Sequence, residues 1–196
     1  MIYLMQTIIG LGNPGDEYVN TRHNAGRVVL TEVLKDWGWG KPIHSAKLGG
    51  ELSDGVLGVN SVRVFFPDTF MNHSGKAAKK VLTIEPGPLV VVYDDVDLPF
   101  GEFKLSFGRG AGGHNGVSSV INELGTQDFL RVRIGIAPKG WFGQTIRPRG
   151  DKLADYVLGQ LTNREQAKLL DISGDVATAL RLAVEKGKEE AMGKFN

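Results

Sequence analysis

Seven short runs of β-branched, aromatic and aliphatic residues, at 6–11, 46–52, 56–60, 62–67, 89–93, 102–107 and 131–137, alternate along the chain with segments of helical periodicity. Runs of this kind read as strands. The helical candidates lie at 23–37, 74–82, 115–124, 153–158 and 164–186. In the last of them Leu169, Ile172, Val176, Leu180 and Ala183 recur at steps of three and four, which draws one apolar stripe. Strands interleaved with helices build a layered α/β domain rather than a barrel of strands alone. Ser53-Asp54-Gly55 falls between two strand candidates, and Asp-Gly tolerates the positive φ of a tight turn, so it reads as a hairpin. A hairpin makes at least one strand pair antiparallel. The expectation is a single α/β domain over residues 1–196: a mixed twisted sheet flanked by helices in three layers. There is no internal repeat and no linker long enough to divide the chain, and residues 139–149 are the most loop-like segment.

Composition narrows the function. A chain of 196 residues buries roughly 70 % of its unfolded surface and needs no covalent staple. It has no cysteine, which excludes disulfides, thiolate metal sites and a cysteine nucleophile. No apolar run approaches the roughly 20 residues of a membrane span, and the first twelve residues read as a buried strand rather than a secretory leader. These features fit a cytoplasmic protein. The net charge is only +1, but it is unevenly spread. Residues 1–100 carry 9 basic against 11 acidic side chains, residues 101–150 carry 7 against 3, and the remainder 7 against 8. A locally basic third quarter is compatible with phosphate recognition, and equally with a solvated loop region.

Gly10-Leu11-Gly12-Asn13-Pro14-Gly15 matches a dinucleotide fingerprint in form. In that fingerprint a helix starts inside the glycine turn, whereas here residues 16–22 intervene before helical periodicity begins. No phosphate loop, HExxH or GxSxG is present. What remains is a set of polar residues at strand ends and in glycine-rich turns: Asn13, His23, Asn72, Asp94, His114 and Asn115. Each asparagine taken alone is also a good turn or cap residue, Asn115 above all because an apolar helix follows it. Together they suit hydrolysis of an ester or amide by water, with histidine as general base, a carboxylate fixing its tautomer, and amides gripping a carbonyl or peptide. Asp94, Asp95 and Asp97 alternate along one segment and do not converge as a metal site. His44 and His73 have no comparable partner and read as surface residues.

These residues carry a resemblance that runs end to end. Gly10–Gly15, Tyr18, Thr21-Arg22-His23-Asn24, Phe70-Met71-Asn72, residues 94–99, Gly112-Gly113-His114-Asn115-Gly116 and residues 155–158 resemble, in order, the motifs of bacterial-type peptidyl-tRNA hydrolases. The resemblance implies a monomeric α/β domain without a cofactor or a metal. It implies hydrolysis of the ester joining a peptide to the 3′-terminal ribose of tRNA, with peptidyl-tRNA as the partner. It implies His23 as the base, Asp94 as its supporting carboxylate, and Asn13 beside the scissile ester. Tyr18, Phe70, Asn72 and Asn115 would line the crevice, and His114 takes no catalytic role. Phosphates would meet the basic residues Lys104, Arg109, Arg131, Arg133 and Lys139. Many relatives carry a second basic residue where this chain has Ser106, which weakens one phosphate clamp. A non-catalytic RNA-binding or splicing factor on the same scaffold is the alternative.

Overall fold

Parity explains the central strands. Along β1 (Gln6–Gly10), β4 (Asn60–Pro67) and β5 (Leu89–Pro99), neighbouring apolar residues point to opposite faces. Ile8, Val64, Val90 and Val92 join one core, and Ile9, Phe65, Val91 and Tyr93 the other. Strands buried on both faces read as continuous apolar runs. In the computed structural model, which describes residues 5–140, 144–148 and 150–196, seven strands form one mixed sheet in the order β2-β3-β4-β1-β5-β7-β6. β2 is Ile43–Ser45, β3 Gly50–Leu57, β6 Phe103–Phe107 and β7 Leu130–Ala137. The pairs β1–β4, β1–β5 and β5–β7 are parallel, and the outer pairs are antiparallel. Helices α1 (Ala25–Asp36), α5 (Asn163–Lys186) and α6 (Lys188–Phe195) cover one face, and α2 (Ser74–Ile84) and α3 (Asn115–Leu124) the other. This is the expected three-layer α/β/α architecture. Helix α4 (Asp151–Leu158) packs against the 3-10 turn Arg22–Asn24.

Several local expectations are corrected. Asp54-Gly55 is not a turn, because β3 runs straight through it. Asp54 stands opposite Arg63 on β4 and accepts a forked pair of hydrogen bonds from it, at 2.7 and 2.6 Å. A Cβ on Gly55 would lie 2.2 Å from the Trp39 ring. The dipeptide therefore answers to a lateral ion pair and an aromatic cover. The hairpin turn is Gly58-Val59, with Gly58 at φ +61° and Leu57 paired to Asn60. Residues 46–49 form a turn joining β2 to β3 rather than strand, with the Gly49 N–H on the Ser45 carbonyl at 2.7 Å. Strand β5 does not stop at Tyr93, since Asp94 and Asp95 continue the ladder opposite Ile134 and Gly135. Helix α1 begins at Ala25, two residues after His23. Helix α6 was not foreseen. Beyond it Asn196 pairs its side-chain amide with both backbone groups of Leu105, at 2.9 Å each, and so covers edge strand β6 as another strand would. Of the loop-like segment, residues 141–143 and 149 lie outside the described residues.

Candidate active site

In an open parallel sheet the loops beyond the strand C-termini share one edge. Asn13 follows β1, Phe70–Asn72 follow β4, and Asp94 lies at the middle of β5. They meet in a crevice of about 900 Å³ together with His23, His114 and Asn115. The glycine turn after β1 leads to a short 3-10 turn, Asp16–Tyr18, and no helix begins within it, which removes the dinucleotide fingerprint.

Asp94 is the buried centre, 2 % exposed. Helix α1 reaches it because Gly26 lies directly on β5, where a Cβ would stand 2.4 Å from the Val92 carbonyl oxygen. That approach brings His23 Nδ1 to 2.9 and 3.0 Å from the two Asp94 oxygens. From the other face His114 Nε2 lies 2.9 Å from Asp94 Oδ1. The tautomer of His114 follows from its second nitrogen. Nδ1 accepts the Val117 N–H at 3.2 Å, capping α3, so the ring proton sits on Nε2 and is donated to Asp94. His23 likewise turns Nδ1–H to the carboxylate, which leaves Nε2 as the basic nitrogen for the crevice that His23 lines.

The electrostatics agree with that geometry. Burial pushes the His23 imidazolium down, but the charge of Asp94 and its hydrogen bond more than reverse this, so the pKa is raised above 6.5. Burial alone would raise the Asp94 carboxyl. The two histidines facing it hold it far below the ordinary carboxylate range. His23, Asp94 and His114 bring three potential ligand atoms within 4.8 Å of one another. A neutral His114 that ligated a cation through Nε2 would carry its proton on Nδ1, where the Val117 N–H already points. The cluster is thus arranged to hold protons. Asp95 turns to Arg133 and Asp97 to Arg147, both at 2.7 Å, so the acidic run diverges to separate partners.

Asn13 is clamped through its backbone. Asn24 accepts the Asn13 N–H at 2.8 Å and donates to the Asn13 carbonyl at 2.9 Å. Asn13 Oδ1 accepts the Met71 N–H at 2.8 Å, so the side chain presents Nδ2 as its donor. Asn72 and Asn115 are exposed in the crevice wall. Tyr18 and Phe70 make a perpendicular aromatic pair, 6.3 Å between centroids, with Phe70 lining the crevice. The opposite wall is apolar, from Leu153, Ala154, Val157 and Leu158 of α4. His44 and His73 are exposed and lie outside this group.

The basic residues separate. Lys104 faces Arg133, and Ser106 faces Arg131, across the β6–β7 pair. Lys104 and Arg109 are exposed. Arg131 is 1 % exposed and spends its guanidinium on the carbonyls of Arg109 and Gly110. Lys139 pairs with Glu102 at 3.3 Å. Sequence reasoning missed two residues. Asn24 was quoted within a motif but not singled out, and nothing local marks its partner. His114 was set aside, and Asn115 was read as the cap. The start of the apolar helix announced a cap at one of the two, and histidine is the less usual choice.

The peptidyl-tRNA hydrolase family matches residues 7–196. A peptidyl-tRNA hydrolase of Mycobacterium avium is 40 % identical over 193 residues, spanning 96 % of each chain. That of Bacillus licheniformis is 39 % identical over 195 residues, spanning 98 % of each. The crystal structure of the peptidyl-tRNA hydrolase from Acinetobacter baumannii matches with a TM-score of 0.84 at 29 % identity, over all of this chain and 96 % of that one. A family match over nearly the whole length and the shared fold lead to one conclusion: this chain belongs to the peptidyl-tRNA hydrolase family.

Proposed function

We propose that the protein hydrolyses the ester between a peptide, or an N-blocked amino acid, and the 3′-terminal ribose of tRNA, with His23 activating the attacking water. One observation carries the assignment of the base: His23 rests one nitrogen on buried Asp94 and keeps the other for the crevice. Water held by Nε2 gives up a proton as its oxygen attacks the ester carbonyl. Asp94 stabilises the imidazolium that forms, and His114 keeps that carboxylate in place from the other side. Asn13 Nδ2 stands ready to donate to the carbonyl oxygen as it gains charge. The imidazolium then returns its proton to the departing ribose oxygen, which leaves as the hydroxyl.

Asn72 and Asn115 grip the peptide backbone without selecting a residue type, since an amide offers a donor and an acceptor to any peptide. Tyr18 and Phe70 offer aromatic faces at the crevice mouth, and the apolar α4 wall covers side chains. A free aminoacyl group makes fewer of these contacts and carries a hydrated amine, so differential binding disfavours it. Lys104 and Arg109 suit the tRNA phosphates, with Arg133 beside them and Arg131 holding the Arg109–Gly110 backbone from within. The test is release of free tRNA from an N-blocked aminoacyl-tRNA, with unblocked aminoacyl-tRNA as control. Equal turnover of the two would remove the peptide-recognition reading. A non-catalytic RNA-binding role has no support, because the matched relatives are hydrolases.

A further inference from the structure

The residue before the base is tied down more heavily than the base itself. Arg22 makes a forked ion pair with Glu165 near the start of α5, Nε to Oε1 and Nη2 to Oε2 at 2.9 Å each. Its guanidinium stacks 4.6 Å from the centroid of the Tyr156 ring, and Nη1 donates to the Tyr156 carbonyl at 3.3 Å. Tyr156 in turn donates its hydroxyl to the Ile136 carbonyl of β7 at 2.6 Å. The Arg22 N–H donates to the Gly159 carbonyl at 3.1 Å, and Leu161 N–H to Asn20 at 2.7 Å. Glu165 also completes the capping box of α5 with Thr162. Burial opposes its charge, but the Arg22 fork and Thr162 together hold its carboxyl below the ordinary value. Neither Arg22 nor Glu165 touches the crevice.

On the reading of His23 as the base, we propose that Arg22 is a positioning residue for hydrolysis, acting through Glu165 and Tyr156 to hold the His23 turn against Asp94. The 3-10 turn carrying His23 is one turn long and cannot fix a side chain by its own hydrogen bonds. An exposed ion pair would contribute little, but this one is forked, partly buried and stacked on an aromatic ring, which fixes direction as well as distance. The turn, the apolar wall of α4 and the first turn of α5 then move as one body. Among the described residues, Asp94 and His114 are the titratable groups that face the His23 ring, and its orientation toward them is what Arg22 sets.

The test compares Arg22→Met, Arg22→Lys and Glu165→Gln in single-turnover hydrolysis, with KM, circular dichroism and an NMR titration of the histidine Cε1–H signals. His23→Ala identifies the His23 signal among the four histidines. Arg22→Met is expected to lower kcat about 10- to 100-fold with little change in KM, the scale of a small misplacement of a reacting group. Arg22→Lys keeps the charge but loses the fork, so it loses less, and its His23 titration midpoint falls as the Asp94 contact loosens. Arg22→Met combined with Glu165→Gln is expected to be no worse than Arg22→Met alone, since one network is broken once. A folded Arg22→Met, or Glu165→Gln should Arg22→Met not fold, with lower Tm or raised KM but unchanged kcat would overturn the proposal. So would an unmoved His23 titration in Arg22→Lys. Near-normal turnover by His23→Ala would instead remove the base assignment, and the titration would still decide whether Arg22 orients that ring.

Discussion

Two hydrogen bonds give each histidine of the site a different job, although both donate to the same carboxylate. His114 is held by Val117 as well and has no free nitrogen, whereas His23 keeps one for water. His23→Ala should leave the circular dichroism spectrum intact and lower kcat at least about 100-fold, the scale of general-base catalysis; a folded variant with near-normal single-turnover rate would refute the role. The base acts when neutral, and its pKa is raised above 6.5, so kcat/KM should climb with pH through a midpoint above that value. In Asp94→Asn the burial that lowers the imidazole pKa persists while the raising charge is gone. The acid limb should therefore move to lower pH while the plateau falls, which a pH series on both proteins checks. Stability follows the same signs. The stabilisation that His23 gains from Asp94 is complete below the unfolded value and fades as pH rises through the raised folded one. Asn13 and Asp94 were legible in sequence as polar residues after apolar strand segments, and His23 as one at the start of a helical segment. Asn24 was not, because its meaning lies in the two backbone groups of Asn13 that it clamps.

At the level of elements, the site depends on how closely helices sit on the sheet. Gly26→Ala would set a methyl group against the Val92 carbonyl and lift the start of α1 from β5. A cost of about 1–3 kcal/mol is expected, typical of overpacking, read as a lower Tm together with a reduced kcat as His23 withdraws from Asp94. The cap of α3 separates two functions of one residue. Asparagine caps helices well but is too short to replace the His114–Asp94 contact. His114→Asn should therefore keep most of the stability and lose several-fold in kcat, while His114→Ala should lose both, about 1 kcal/mol of it from the missing cap. Thermal melts and single-turnover rates on the pair distinguish these outcomes. Helix α3 was legible over residues 115–124, since its apolar stripe and the glycine at Gly125 bracket it, but its cap is His114 rather than Asn115. Asp54-Gly55 was misread because a turn dipeptide and an ion-paired, aromatic-covered strand look identical until Arg63 and Trp39 are placed.

Across the whole molecule, the net charge of +1 hides an exposed basic corner on β6 and the loop after it. If that corner meets phosphates, KM for peptidyl-tRNA should rise with salt while kcat holds, because released counterions act on binding. A short N-blocked aminoacyl ester should show a shallower slope. Lys104→Ala and Arg109→Ala should each reduce the tRNA slope by about one phosphate. Arg131→Ala should instead lower Tm, since it removes a buried side chain that ties down the Arg109 and Gly110 carbonyls; equal slopes for both substrates would place the anchor elsewhere. The sequence by itself determined the layers and the edge where polar residues gather, whereas the mixed sheet it led one to expect rested on a hairpin at Asp54-Gly55 that lies at Gly58-Val59 instead. The layers and the edge follow from periodicity and from parallel strands ending together, which are local and repeated signals. Only the tertiary structure decided that His23 keeps one nitrogen free while His114 keeps none, which arginine turns inward, and that Arg22 and Glu165 share one fork. Each of these is a contact of about 3 Å between residues 20 to 143 positions apart, and hydrogen bonds fall off so steeply with distance and angle that only the packed chain can specify them.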